Sequence, residues 1–592
     1  MKRIYFVLLI AFCYNVQGSA AIVWDDYWYK DMSGKAPTPV PKTVTHGQTL
    51  VIDCTEAALR SAINTLNNAG GIIRFKHNNT NQTILLNQSI EFIGNNKIFL
   101  VDGEGFVTID GQNKTGLFVA NDYVKLIFQN LTLTHGRGVT GSCLNLENRV
   151  GLIAINVTFT DNHNSGTADI NGGGAVKMNK QSSGCFANCK FINNSAWTGG
   201  AIGATHQEIL IVLDCEFTGN RSIALWDGIS NPLIWETGGV VTGITGGGAI
   251  RCDNLFNICE VYRSTFDNNS STANASALEV YVNRNHEWRD GLNRPSCIVD
   301  SCTFKNNGLD PNSNQFTATT PYTYQGVLQH FYGGKLILRN SSFTNNYTAD
   351  GVLVIPDSRA EIYNCLIANN TVLQKSYAKG AGFYTQNSGE GNTISIDRTT
   401  FYNNIGKESG AFYASSKRVK DISITNSLFV NNTSSLNTKT TNLTYNGSNN
   451  IQWPSLVNSN DLPITAGVRF ANPLIQKIDA TGFPPKLLLA SNSPSIGIGS
   501  DSYVLTNTIE RESNNKVLVF PNPTSDFLTV SNPEGWTTST ISIFDINGKV
   551  VTQMQNISGI EYKVPVHGLT KGIYLIQIES NNQRFFGKFI KQ

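Results

Sequence analysis

The sequence predicts an all-β solenoid followed by a small separate β domain, on three observations. First, one phrase recurs nine times between residues 159 and 429: a large apolar residue, a spacer, Asn or a stand-in, then Asn, as in Phe191 to Asn194 and Phe217 to Asn220. The copies lie on average about 34 residues apart, a period typical of stacked repeat architectures. Second, the runs LIAINVTF and EILIVLDCEF are β-branched and alternate, which disfavours a helical solenoid. Third, the last 75 residues or so drop the phrase for short alternating strands joined by Asn-Gly and Lys-Gly turns.

Reading along the chain, Met1 to about Gly18 has a basic start (Lys2, Arg3), an apolar run from Ile4 to Phe12 and small residues for cleavage, the pattern of an export signal. Residues 19–49 read as a linker. TEAALRSAINTLNNAGG then reads as a short amphipathic helix, with Glu56 at its positive end and a Gly70-Gly71 stop. Such a helix would cap the open first coil, whose unpaired edge otherwise invites aggregation. From there to about residue 500 each copy is one coil. In CKFINNSAWTGGAI, Cys189, Phe191 and Ile202 are spaced to point inward, while Asn194 and the Gly pair fall where the chain turns. Coils stacked about 4.8 Å apart would let the Asn amides bond up and down a ladder. Residues 501–514 read as a second linker.

This pattern resembles the right-handed parallel β-helix repeats of the pectin-lyase-like superfamily, and its F-x-N-N and G-G-A-I phrasing is similar to repeats of bacterial polymorphic outer-membrane proteins. NPLIQKIDATGFPPKLLLASNSPSIGIGS is similar to tails that close such helices. Residues 515–592, with VFPNPTSDFLTV, ISIFDINGKVV, GLTKGIYLIQIES and FFGKFIKQ in order, resemble the type A C-terminal sorting domain of type IX secretion. Phe520, Pro521, Asn522 and Pro523 match its opening, Gly548 its hairpin, and Gly568, Gly572 and Tyr574 its late strand. That resemblance implies a small β-sandwich, recognition by the type IX machinery, and delivery across the outer membrane to the cell surface or medium.

Net charge +2 gives no basic field for nucleic acid, and no stretch beyond the signal is apolar enough to span a membrane. Of eleven Cys, those at 189, 215, 302 and 365 sit two residues before the repeat's apolar residue, where other coils have Ser264, Ser341 and Ser427. An inward stack of small side chains explains them, with Cys185-Cys189, Cys252-Cys259 and Cys297-Cys302 close enough in sequence for local bridges. No C-x-x-C or H-x-x-x-H spacing suggests zinc.

Candidate chemistry lies where the coils break their rule. In the strands after the Gly turns, one column is expected to face solvent: Lys177, Gly203, Arg251, Glu279, Gln329, Val354, Phe383 and Tyr413, polar or tiny at first and apolar later. Asp253 and Tyr281 lie one column further on. The longest insertions, Trp226 to Val241, Asn283 to Arg294 and Asp310 to Gln325, fall on the same polar half and would wall a groove. Lys177, Arg251, Asp253, Glu279, Tyr281 and Trp288 are the candidate ligand-binding residues. Trp226, Trp235, Tyr322 and Tyr324 add flat faces for sugar rings, and the cations suit an acidic glycan. The reading is a surface β-helix that binds glycans or mediates adhesion. The alternative is a polysaccharide lyase, with Lys177, His206 or Arg251 as base, or a glycoside hydrolase using Asp253 and Glu279 roughly 8 Å apart. No cofactor is demanded, and calcium is the ion that Asp253 or Glu279 would take. His135 and His163 fall in turns and read as surface residues.

Overall fold

The computed structural model describes residues 47–592 apart from internal segments, of which the longest are 224–245, 283–294, 311–324 and 505–517. Shorter ones fall at 68, 95–96, 140–142, 167–171, 180–181, 206–208, 256–257, 332, 374–379, 386–392, 415–420, 435–440, 455–461, 483, 521–523, 546–548 and 581–582. The chain divides into two compact units, residues 1–504 and 505–592.

The first unit is the expected parallel β-helix. One coil runs through a wall strand (Ile202–Thr205), a back strand (Ile209–Leu213), a phenylalanine strand (Glu216–Thr218) and a two-residue strand (Arg221–Ser222). Each pairs in parallel with its counterpart one coil on: Ile202 with Ile250, Leu210 with Cys259, Phe217 with Phe266, Arg221 with Ser270. Among the described residues the wall strands form an eleven-stranded sheet and the two-residue strands a ten-stranded one.

The repeated phrase makes two stacks. Phe159, Phe191, Phe217, Phe266, Phe304 and Phe343 lie in one buried column, with successive ring centroids 4.5–4.7 Å apart and planes within 5°. The column continues through Ile367 to Phe401 and Phe429. Beside it runs the Asn ladder. From Asn162 through Asn194, Asn220, Asn269, Asn307, Asn346, Asn370 and Asn404 to Asn432, each Nδ2 donates to the next Oδ1 at 2.8–3.2 Å. Each Nδ2 also donates to a backbone carbonyl of an earlier coil, as Asn220 does to Phe191, so the buried amides are satisfied. The turn itself falls one residue earlier than the sequence reading placed it. Asn193, Asn268, Asn306, Asn345, Asn369, Asn403 and Asn431 take the left-handed backbone at φ 50–56°, a conformation Asn tolerates. The doubled Asn thus does two jobs, one in the backbone and one in the ladder.

All ten described cysteines are free, so the three local bridges do not form. Cys185 belongs to an outward cluster with Ile153 and Ile211, whereas Cys189 faces the core. Cys189 and Cys215 instead share a hydrogen-bond stack with serines: the Cys189 amide donates to Cys215 Sγ at 3.4 Å, and the Cys215 amide to Ser264 Oγ at 3.1 Å. Burial holds the thiols at 143, 185, 215, 302 and 365 above their ordinary range, which keeps them inert.

At the front end, helix α1 (Glu56–Leu66) begins at Thr55, whose hydroxyl accepts from the Ala58 amide at 3.2 Å. Leu59, Ala62, Ile63 and Leu66 enter the main core, as a cap requires. Its strand partner upstream, Gln48–Ile52, pairs with Gly71–Phe75 and so extends the same sheet. The tail departs from expectation. Residues 475–504 lie along the flank of the last coils instead of closing their end: Leu487, Leu489 and Ile498 cover the outward side chains Leu366, Ala368, Leu428, Val430 and Ile451. Outward apolar residues in those phenylalanine strands need such a cover.

The second unit is an antiparallel sheet of Leu518–Phe520, Phe527–Phe544, Val550–Pro565, Gly572–Ser580 and Gln583–Lys591. Alternate residues Leu528 and Val530, Ile541 and Ile543, and Tyr574, Ile576 and Ile578 fill its own core. The two longest strands are irregular, with register shifts between Ser531 and Ile541, which lets one strand pair with different partners at its two ends. The Pro521 to Pro523 turn and the Gly548 hairpin lie outside the described residues.

Candidate functional site

The outward column of the wall sheet runs Lys177, Gly203, Arg251, Glu279, Gln329, Val354, Tyr384, Tyr413. Phe383, assigned to it from the sequence, belongs to the inward column and stacks on Phe412 at 4.4 Å. The reason is local: in Gly380-Ala381-Gly382-Phe383 a Gly occupies the place that Ala holds in other coils, and this shifts the reading by one.

The column does not face solvent. Lys177 is 5% exposed, Arg251 3%, and Glu279 and Gln329 0%. Before the strands that carry Lys177 and Arg251 the chain passes over the outer face of its own or the next coil, and glycines make that approach possible. A Cβ on Gly203 would lie 2.4 Å from the Gly172 carbonyl carbon, one on Gly246 1.9 Å from Glu279 Oε2, and one on Gly247 2.8 Å from Arg251 Cβ. The Gly turns therefore roof the side chains beneath them, which alternation alone cannot reveal.

Under that roof the polar residues sort into two groups. Lys177 Nζ sits 2.8 Å from Glu147 Oε1, one coil back and unflagged by the sequence reading, in an ion pair whose lysine side chain is 6% exposed. Two coils onward, Arg251 lies between two carboxylates, 3.7 Å from Asp253 Oδ2 and 3.8 Å from Glu279 Oε2. Its guanidinium also stands 5.2 Å from the centre of the Tyr281 ring, which stacks on Phe331 at 4.7 Å. Asn274, also missed from the sequence, completes the set: its Nδ2 donates to Glu279 Oε1 at 2.8 Å and to the Tyr281 hydroxyl at 3.2 Å. Glu279 Oε2 has no hydrogen-bond donor among the described residues. Burial pushes the Glu279 carboxyl up to about 7, with Arg251 and Asn274 pulling the other way. Asp253, at 29% side-chain exposure, is the member of this group that reaches the surface.

Arg251, Asp253, Glu279 and Tyr281 thus form one cluster, and Lys177 stands apart. Trp288, Trp226, Trp235, Tyr322, Tyr324 and His206 lie outside the described residues. Among the described residues no group of three or more His, Cys, Asp or Glu is placed to hold a metal ion. His163 bonds Ser195 Oγ at 2.7 Å and His135 bonds Asp110 at 3.2 Å, both within the coil stack. The insertions that the groove reading takes as walls lie outside the described residues, and only their places in the chain bear on it. Segment 224–245 enters the strand Ile250–Leu255, segment 283–294 leaves the next strand, Leu278–Val282, and segment 311–324 enters the one after, Leu328–Phe331.

No helix among the described residues is long and apolar enough to cross a membrane. A search of curated proteins gives no match. Residues 518–592 match the family model described as the secretion system C-terminal sorting domain. The chain is therefore an exported β-helix protein carrying a type IX sorting domain, and it is delivered to the cell surface or extracellular space.

Proposed function

We propose that the exported β-helix binds an extended glycan at the surface that Asp253 reaches, above the buried group of Arg251, Glu279 and Tyr281 and with the buried Lys177 two coils away, and does not turn it over. The observation that carries this reading is that the three longest insertions adjoin in sequence three successive wall strands, two preceding and one following, and that two of these strands carry the buried Arg251 and Glu279. Arg251 is 3% exposed and faces Asp253 and Glu279, so the accessible group is the Asp253 carboxylate, which accepts hydroxyl protons. That favours neutral sugars over the acidic glycan expected from sequence. A second reading, a glycoside hydrolase or lyase of the pectin-lyase-like kind, is favoured by the Glu279 carboxyl near 7, the range of a general acid, with Asp253 as the second carboxylate.

Calorimetry of the mature protein against neutral and uronate polysaccharides, with assays for reducing ends and unsaturated products, separates the two. Binding without products is expected, with Asp253→Ala weakening it by about 1.5–3 kcal/mol through loss of a charge-assisted bond and Tyr413→Ala leaving it unchanged. Absence of binding across both polysaccharide classes sinks the reading. Product formation that Glu279→Gln abolishes while binding persists establishes the enzyme instead.

A further inference from the structure

Six of the fifteen exposed large apolar residues among the described ones, Phe527, Val550, Val551, Ile573, Leu575 and Ile590, lie in the 75-residue sorting domain. A stable small domain has no reason of its own to concentrate them. Four of them share one surface. In the strand Gly572–Ser580 the even residues Tyr574, Ile576 and Ile578 enter the core, so the odd ones face out, with Ile573 44% and Leu575 49% exposed. Residues directly opposite in an antiparallel sheet lie on the same face. Ile573 is opposite Ile590, and Leu575 lies between Lys588 on one side and Phe544 on the other. Phe544 is in turn opposite Val550, 47% exposed, and Val551 is the extra residue of the irregularity there. An apolar ridge therefore crosses four strands. Its rim is basic, with exposed Lys549 beside Val550, Lys571 at the start of the strand that carries Ile573, and Lys588 beside Leu575.

We infer that this ridge, centred on Ile573 and Leu575, is the surface by which the export machinery grips the domain, through an apolar patch rimmed by acidic side chains. The inference rests on the sorting-domain assignment, which requires the domain to be bound by another protein. The core face is filled by the domain's own side chains and cannot serve. Burying apolar ridge residues supplies affinity, and the lysines select an acidic partner.

The test uses the full chain in a bacterium with a type IX system, measuring surface plus medium against periplasm. Ile573→Thr combined with Leu575→Thr keeps strand-compatible side chains, so the domain's melting stays at wild type while export falls about tenfold or more. Lys588→Glu, an exposed change with little folding cost, lowers export severalfold, Lys588→Arg restores it, and Glu561→Gln, exposed elsewhere in the domain, leaves it unchanged. Wild-type export of both the double variant and Lys588→Glu overturns the assignment of the face. So does a ridge that pairs two copies: a wild-type dimer by sedimentation, made monomeric by the double variant without loss of export. Removal of residues 505–592 separates this from failure of the sorting assignment itself. If the truncated chain reaches the surface, the domain does not sort. If it stays in the periplasm while the ridge variants are exported, only the ridge is wrong.

Discussion

The Asn ladder and the outer column of the wall sheet are stacked on the same coils, yet one repeats a single residue nine times and the other changes at almost every level. The difference follows from what each group can do to a copy of itself one coil away. A carboxamide donates from nitrogen and accepts at oxygen, so Asn stacks on Asn indefinitely. A buried charge stacked on its like repels it, and the energy grows as water is excluded. The wall column therefore sets Arg251 against Glu279 and separates Lys177 from Arg251 by Gly203. Uniformity marks the part of the coil that only builds, and variation marks the part free to carry specificity.

The comparison breaks first at the ladder. Asn220→Ala removes the acceptor of two Asn194 donors, its backbone amide and its Nδ2, and the donor to the Phe191 carbonyl, all buried. Unmet buried groups of this kind cost about 1–3 kcal/mol each, so a loss of roughly 3–5 kcal/mol is expected in denaturant unfolding. A loss below about 1 kcal/mol would mean that the ladder records repetition without supporting it.

The wall column is expected to respond to pH where the ladder does not. Glu279 ordinarily titrates at 4.5 and in the folded chain near 7, so between those values the folded state holds the extra proton. Its contribution to stability is complete below about pH 4.5 and is lost as pH rises through 7, a change on the order of 3 kcal/mol. Glu279→Gln should flatten that part of the stability profile and raise stability at pH 8. Equal slopes in the two proteins between pH 5 and 7.5 would show that Glu279 stays charged under its glycine roof.

The smallest effect is expected outside both columns. Lys190 and Glu216 meet at 3.2 Å on neighbouring phenylalanine strands, but their side chains are 53% and 57% exposed. Lys190→Ala should change stability by less than about 0.5 kcal/mol and respond to salt. A larger loss would place outward charge pairs among the forces that hold the coils.

Much of this was legible in the sequence because repetition reports geometry many times over. Phe191, Phe217 and Phe266 announce a column, and Thr55, Glu56 and Gly70 a capped helix. The sorting domain carries motifs in order. What stayed hidden depends on segments that do not repeat. Alternation places Arg251 and Glu279 outward correctly, but their burial comes from Gly246 and Gly247 passing over them. Glu147 and Asn274, which complete the two polar groups, sit in coils whose phrases give no hint of a partner. The path of residues 475–504 follows from apolar side chains at Leu366, Ala368, Leu428 and Val430 on strands whose outer faces are elsewhere polar, a signal visible only once the coils are aligned.

That path changes how the solenoid comes apart. A stack whose coils touch only their neighbours unzips one rung at a time from a free end. Here the tail ties successive rungs: Ser342 Oγ donates to the Ala480 carbonyl, the Asp501 amide to Asn364 Oδ1, the Ser500 amide to Thr400 Oγ1, and the Gly499 amide to the Asn426 carbonyl. Four coils are laced by one thread, so fraying from the C-terminal end must release them together, and this stretch should open as a single cooperative block in hydrogen exchange.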